Sequence, residues 1–168
     1  MSISMYQASV PVLLHGLTSL QNIIGKAQAH AAEKQIEPAA LTSARLFPDM
    51  FPMYRQIHVA TVMAKNCALQ LAEVEAPALD DNATTFDELR ARIQTTIDYL
   101  NTLKPAQIDG TEGKRVVHKM RGESVEFTGL DYLHYFILPN FYFHITTAYN
   151  ILRHNGVELG KRDFLGNR

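Results

Sequence analysis

The run GLDYLHYFILPNFYFHITTAYNILRHNG, residues 129–156, decides the fold of this chain. At about 100° per residue, Leu133, Phe136, Asn140, His144, Thr147 and Ile151 fall within about 40° of one line along a helix. That line is the face expected to look inward. Asn155-Gly156 supplies the stop, because glycine takes the left-handed conformation that ends a helix without steric cost. Pro139 has no N–H to give the carbonyl of Tyr135, so a kink or a freed carbonyl is expected at mid-helix. Tyr132, Tyr135, Phe136, Phe141, Tyr142 and Phe143 go right round the helix, which reads as core on one side and a subunit-facing surface on the other.

Upstream of this helix, residues 106–128 lack a helical period. Val116 to Met120, then Arg121-Gly122-Glu123-Ser124, then Val125 to Phe127 read as a short hairpin that must pack on something larger, since two strands alone are marginal in water. Before it, Thr85-Phe86-Asp87-Glu88 fits a capping box, and Leu89, Ile93, Thr96, Ile97, Leu100 and Leu103 carry a stripe that Lys104-Pro105 stops. A further helix is expected from Met53 to Val74, with Met53, Ile57, Ala60, Ala64, Cys67, Ala68 and Leu71 on its core face. Its small residues allow close approach of a neighbour. The first helix is expected from about Met5 to Lys34, with Val10, Leu13, Leu17, Leu20, Ile24, Ala27 and Ala31 inward. Pro11 is tolerated if the regular helix begins with Ser9 as its N-cap; otherwise the helix starts earlier and kinks. His15 lies off that stripe, as for a solvent or subunit contact. Residues 157–168 read as a tail lying on the surface. The expectation is an all-α four-helix bundle with a short β-hairpin between helices three and four, in one domain spanning residues 1–168.

Composition narrows the function classes. A net charge of −1 over 168 residues gives no basic footprint for nucleic acid. The single cysteine, Cys67, falls in an apolar helical stretch and reads as a buried, inert thiol. No charged-then-apolar leader opens the chain and no apolar run is long enough to span a bilayer, so the expected location is the cytoplasm. G-x-S-x-G, P-loop and G-x-G-x-x-G patterns are absent, and no Glu-x-x-His pairs mark a di-iron bundle.

One place can hold chemistry. Asn140 and His144 stand one turn apart on the inward face of the fourth helix, so both can point at one ion or molecule. His58, at the edge of the second helix's apolar stripe and near Thr61, joins them if those two helices are neighbours. Two imidazoles and an amide suit zinc or nickel in ligand type, but fall short of the three strong ligands of catalytic zinc. A hydrogen-bonded polar pair in the core and an organic ligand in the cleft are the other readings.

The end of the fourth helix resembles the DinB/YfiT-like superfamily of four-helix bundles, described as metal-dependent enzymes. Its last-helix motif is H-x-x-x-H-x-G-Q-I-x-x-x-L-R-x-x-G. The second motif histidine falls on His144, the Leu-Arg pair on Leu152-Arg153, and the glycine on Gly156. Asn140 stands where the first histidine would be, and Thr146-Thr147-Ala148 replaces G-Q-I. The resemblance implies a third ligand from the second helix, matched here by His58. Pro139 to Leu165 is still more similar to a bacterial and fungal branch of unknown function, which reads P-N-F-x-F-H-x-T-T-A-Y-x-I-L-R-x-N-G-V-x-x-G-K-x-D-x-L. Phe47-Pro48-Asp49-Met50 and Arg55-Gln56 match its second-helix entry. The resemblance implies the bundle, a divalent metal held by His58, Asn140 and His144, and chemistry on low-molecular-weight thiol adducts. The alternative is a non-enzymatic binding or interaction protein that keeps the fold without the metal. A homodimer and a small-molecule ligand are the expected partners; nucleic acid and membrane are not.

Overall fold

The computed structural model describes residues 3–120 and 122–166. Arg121 and the last two residues of the expected tail lie outside that range.

The first helix, α1 (Met5–Glu33), starts earlier than a Ser9 cap would have it. Ser4 Oγ accepts from the Gln7 amide at 3.3 Å, and Gln7 Oε1 accepts from the Ser4 amide at 3.1 Å. This reciprocal cap satisfies two of the amides that a helix start leaves orphaned, and the extra turn buries Met5. Those gains outweigh the one hydrogen bond lost at Pro11, which sits inside α1. Ser9 instead donates to the Met5 carbonyl at 2.6 Å. A short α2 (Pro38–Thr42) follows, then α3 (Met53–Ala72), which ends where Glu73 turns left-handed at φ 54°. The expected capping box opens α4 (Phe86–Asn101): Thr85 Oγ1 accepts from the Glu88 amide and Glu88 accepts from the Thr85 amide.

The hairpin is β1 (Arg115–Met120) and β2 (Glu123–Thr128), antiparallel, with Val117 opposite Glu126. It is held down by aromatic contacts. The Phe127 ring lies 5.7 Å from Tyr132 and 5.8 Å from Phe136, and the His118 ring 4.5 Å from Phe136. The last long helical segment has three parts: α5 (Gly129–Asp131), a π-helical turn (Tyr132–Ile137) and α6 (Leu138–His154). The π turn ends two residues before Pro139, whose missing N–H removes the bond that would hold this stretch in α geometry.

The four long helices share one hydrophobic core. α3 runs along both α6 and α4, while α1 runs along α4 and also touches α6 and α3. Leu13, Leu17 and Leu20 of α1, Ile57 and Ala64 of α3, Leu89 and Ile93 of α4, and Phe141 and Ala148 of α6 are sealed from solvent. Gly16 lets α1 close on α6, since a Cβ there would stand 2.6 Å from Cε1 of Phe141. α3 is buried along two flanks, which is why His58 and Thr61 are as sealed as its apolar stripe.

The chain end is more than a surface tail. Val157 and Leu159 are buried, and α7 (Lys161–Leu165) docks on α1. There Lys26 Nζ meets Asp163 Oδ1 at 2.6 Å, and His15 Nε2–H donates to the Leu165 carbonyl at 2.6 Å. No helix among the described residues is long and apolar enough to cross a membrane.

Candidate functional site

α3 and α6 are neighbours, and the residue of α3 that meets His144 is Gln56. His144 Nδ1 and Gln56 Oε1 are 2.6 Å apart. The Gln56 amide nitrogen donates to the Phe51 carbonyl at 2.8 Å. That second bond sets the chemistry of the first. With its NH2 committed to Phe51, Gln56 presents its oxygen to His144, so His144 must carry its proton on Nδ1. Its Nε2 then holds a lone pair, and no group among the described residues hydrogen-bonds it. Gln56 is sealed and His144 nearly so, at 9% exposure. Burial pushes the His144 imidazole down to about 4, so it is neutral at physiological pH. A ring held by one nitrogen with the other open is how proteins orient metal ligands and general bases alike.

Asn140 stands one turn before His144 on α6 and is half-buried. Its Nδ2 donates to the Phe136 carbonyl at 2.6 Å, within the π turn. The amide oxygen therefore faces away from its own helix. Thr147, one turn beyond His144, spends its hydroxyl on the Phe143 carbonyl at 2.7 Å. The exposed Phe143 ring packs edge-on against His144.

His58 is engaged elsewhere. Its Nε2–H donates to the Ala83 carbonyl at 2.7 Å, in the loop leading to α4, and the Tyr54 ring lies edge-on to it at 5.6 Å. Its Nδ1 is buried without a partner. Burial lowers its basicity, and the nearby Arg92 cation adds to the effect. That guanidinium is itself buried, bonded to Thr61 Oγ1 at 2.8 Å and the Asp80 carbonyl at 2.6 Å. Gln56 and His58 are two residues apart, so at about 100° per residue they point about 160° apart round α3. The structure thus brings Asn140 and His144 to one face, sets Gln56 against His144, and places His58 on the flank facing α4. Gln56 was missed in the sequence, although its spacing of three from Met53 and four from Ala60 puts it beside the core stripe.

These side chains do not make the three-ligand set that a tightly held zinc or nickel needs. Among the described residues no group of three or more His, Cys, Asp and Glu side chains is placed to hold a metal ion. The α3 position opposite His144 is an amide, and His58 sits beside a buried cation that would oppose a second one.

Residues 5–165 match the profile of a family described as "Domain of unknown function (DUF1993)". The chain belongs to the DUF1993 family. This DUF1993 chain is also similar to a solved structure, that of a DinB family member protein from Shewanella denitrificans. The two share 37% identity, with a TM-score of 0.90 over 97% of this chain and 92% of that one. The fold is therefore DinB-like. No curated protein matches the DUF1993 chain.

Proposed function

We propose that this chain is a DinB-like four-helix bundle in one domain that binds a small polar molecule against α6, with His144 Nε2 as the accepting atom and Asn140 beside it, and without a tightly held metal. The observation that carries this reading is the relay from the Phe51 carbonyl through the Gln56 amide to His144 Nδ1. It supports a neutral imidazole of one tautomer, able to take a hydrogen bond or a proton from an O–H, N–H or S–H group. A thiol donor would connect the site to the chemistry that the DinB-like resemblance implies. No reaction is assigned.

Two measurements test the reading together. Metal content of tag-free protein, beside a His144→Ala control, is expected to be far below stoichiometric in both. Nitrogen-15 spectra of the imidazole are expected to show a protonated Nδ1, and an Nε2 signal that moves when a donor-bearing small molecule such as a low-molecular-weight thiol is titrated in. Near-stoichiometric zinc or nickel in the wild type, lost in the control, would overturn it in favour of a metal centre on His144 and Asn140, with His58 released from Ala83.

The same reading includes a symmetric homodimer. Tyr135 and Phe143 of the last helical segment are 77% and 57% exposed, a large aromatic surface to leave in water. Sedimentation showing only monomer at micromolar concentration would refute the dimer and leave the ligand site standing.

A further inference from the structure

A cavity lies on the other side of α6, where α1, α6 and α7 meet. Its volume is about 880 Å³, within the size of small-molecule sites. Apolar walls come from Ile145, Phe164, Leu165 and the Tyr142 ring. Its polar side chains are those of His15, Tyr142 and Arg162. Arg162 lines the cavity, and no acidic side chain among the described residues is within salt-bridge distance of its guanidinium. Asp163, its neighbour in α7, is committed to Lys26 and to the Gly160 amide. Among the described residues no carboxylate lines the cavity.

Gly166 lines the cavity and covers Ser19 of α1. Gly166, at φ 69°, closes over Ser19 so tightly that a Cβ on it would lie 2.6 Å from Ser19 Oγ. That hydroxyl is sealed and has no hydrogen-bond partner among the described residues. Beside it the His15 ring is anchored through Nε2–H to the Leu165 carbonyl.

From this arrangement we infer a binding site for an amphipathic monocarboxylate, its carboxylate on Arg162 and its alkyl or aryl body against Ile145 and Phe164. A planar guanidinium matches a carboxylate with two parallel hydrogen bonds, and a lone cation over apolar walls selects a molecule with one charge and a hydrophobic tail. The site shares no residue with the Gln56–His144 relay.

The test is calorimetric titration of the full chain with octanoate, with octanol as the uncharged control. Saturable one-to-one binding of octanoate is expected. Arg162→Gln should weaken it about tenfold or more, and octanol should bind more weakly than octanoate by a similar factor. His144→Ala should leave octanoate affinity unchanged, which separates this site from the one proposed above. Arg162 is exposed, so its replacement leaves the fold intact. Absence of saturable octanoate binding would overturn the inference. So would affinity indifferent to Arg162→Gln, or affinity lost in His144→Ala.

Discussion

Replacing His144 with glutamine should flatten the acid limb of this protein's stability curve. In the folded chain burial holds the imidazole at about 4, against 6.5 for a solvated one. The sign follows from linkage. Below 6.5 the unfolded chain takes up a proton that the folded chain refuses, so the stability present above that value is lost as pH falls towards 4. Between pH 7 and pH 4.5 a single group with these two values costs about 2.5 kcal/mol. His58 is shifted the same way by its own burial and by Arg92, so the wild type loses more than His144 alone accounts for. The difference between wild type and His144→Gln isolates the one residue. Urea unfolding of both proteins at the two pH values measures it, and the wild type should lose about 2 kcal/mol more than the variant. An NMR titration supplies the second arm, with a His144 midpoint near 4 and Nδ1 protonated above it. Equal acid losses in the two proteins, or a midpoint near 6.5, would refute the argument that His144 is held neutral by burial.

Three further outcomes rest on packing. Gly129→Ala should destabilise the chain severely, by about 3 kcal/mol or more, because the new Cβ would stand 2.1 Å from the backbone oxygen of Thr111, which has no rotamer by which to retreat; thermal unfolding measures it, and a change under about 1 kcal/mol would contradict the close approach. Gly16→Ala should destabilise by about 1–2 kcal/mol although alanine is the better helix former, since Phe141 is sealed and cannot yield; a gain in stability would mean that α1 and α6 are less tightly apposed. Cys67 is sealed and its thiol is pushed up to about 12 by burial, so it should resist a thiol-specific reagent at pH 8 until the chain unfolds. Fast labelling of the folded protein would show the α3 core to be open.

Local signals in the sequence carried most of the secondary structure. The capping box at Thr85, the stop at Asn155-Gly156 and the hairpin each depend on residues within a few positions of one another; the first two form as read, and the hairpin forms with a tighter turn, since Glu123 and Ser124, read as turn, pair with Met120 and Lys119. The apolar stripes located the four long helices because burying such a stripe is the main source of helix stability in a folded chain. The start of α1 was harder. The reading left a Ser9 cap or an earlier start open, and the buried contacts of Met5, which are not local, favoured the earlier start, capped by Ser4.

The candidate site divides the same way. That Asn140 and His144 share a face follows from their spacing on one helix, and the sequence alone determined it. Which residue of α3 would meet them did not follow. Gln56 and His58 both border the apolar stripe, and choosing between them requires the rotation of α3 about its axis relative to α6. Packing against two neighbours settles that rotation: one flank of α3 is turned to α6 with Gln56 on it, and the other to α4 with His58, beneath Ala83 and Arg92. The cavity beside Arg162 is likewise a product of tertiary structure. Its walls come from His15 and Gly16, from Tyr142 and Ile145, and from Arg162 and residues 164–166, positions that share no periodicity and meet only because α7 folds back on α1.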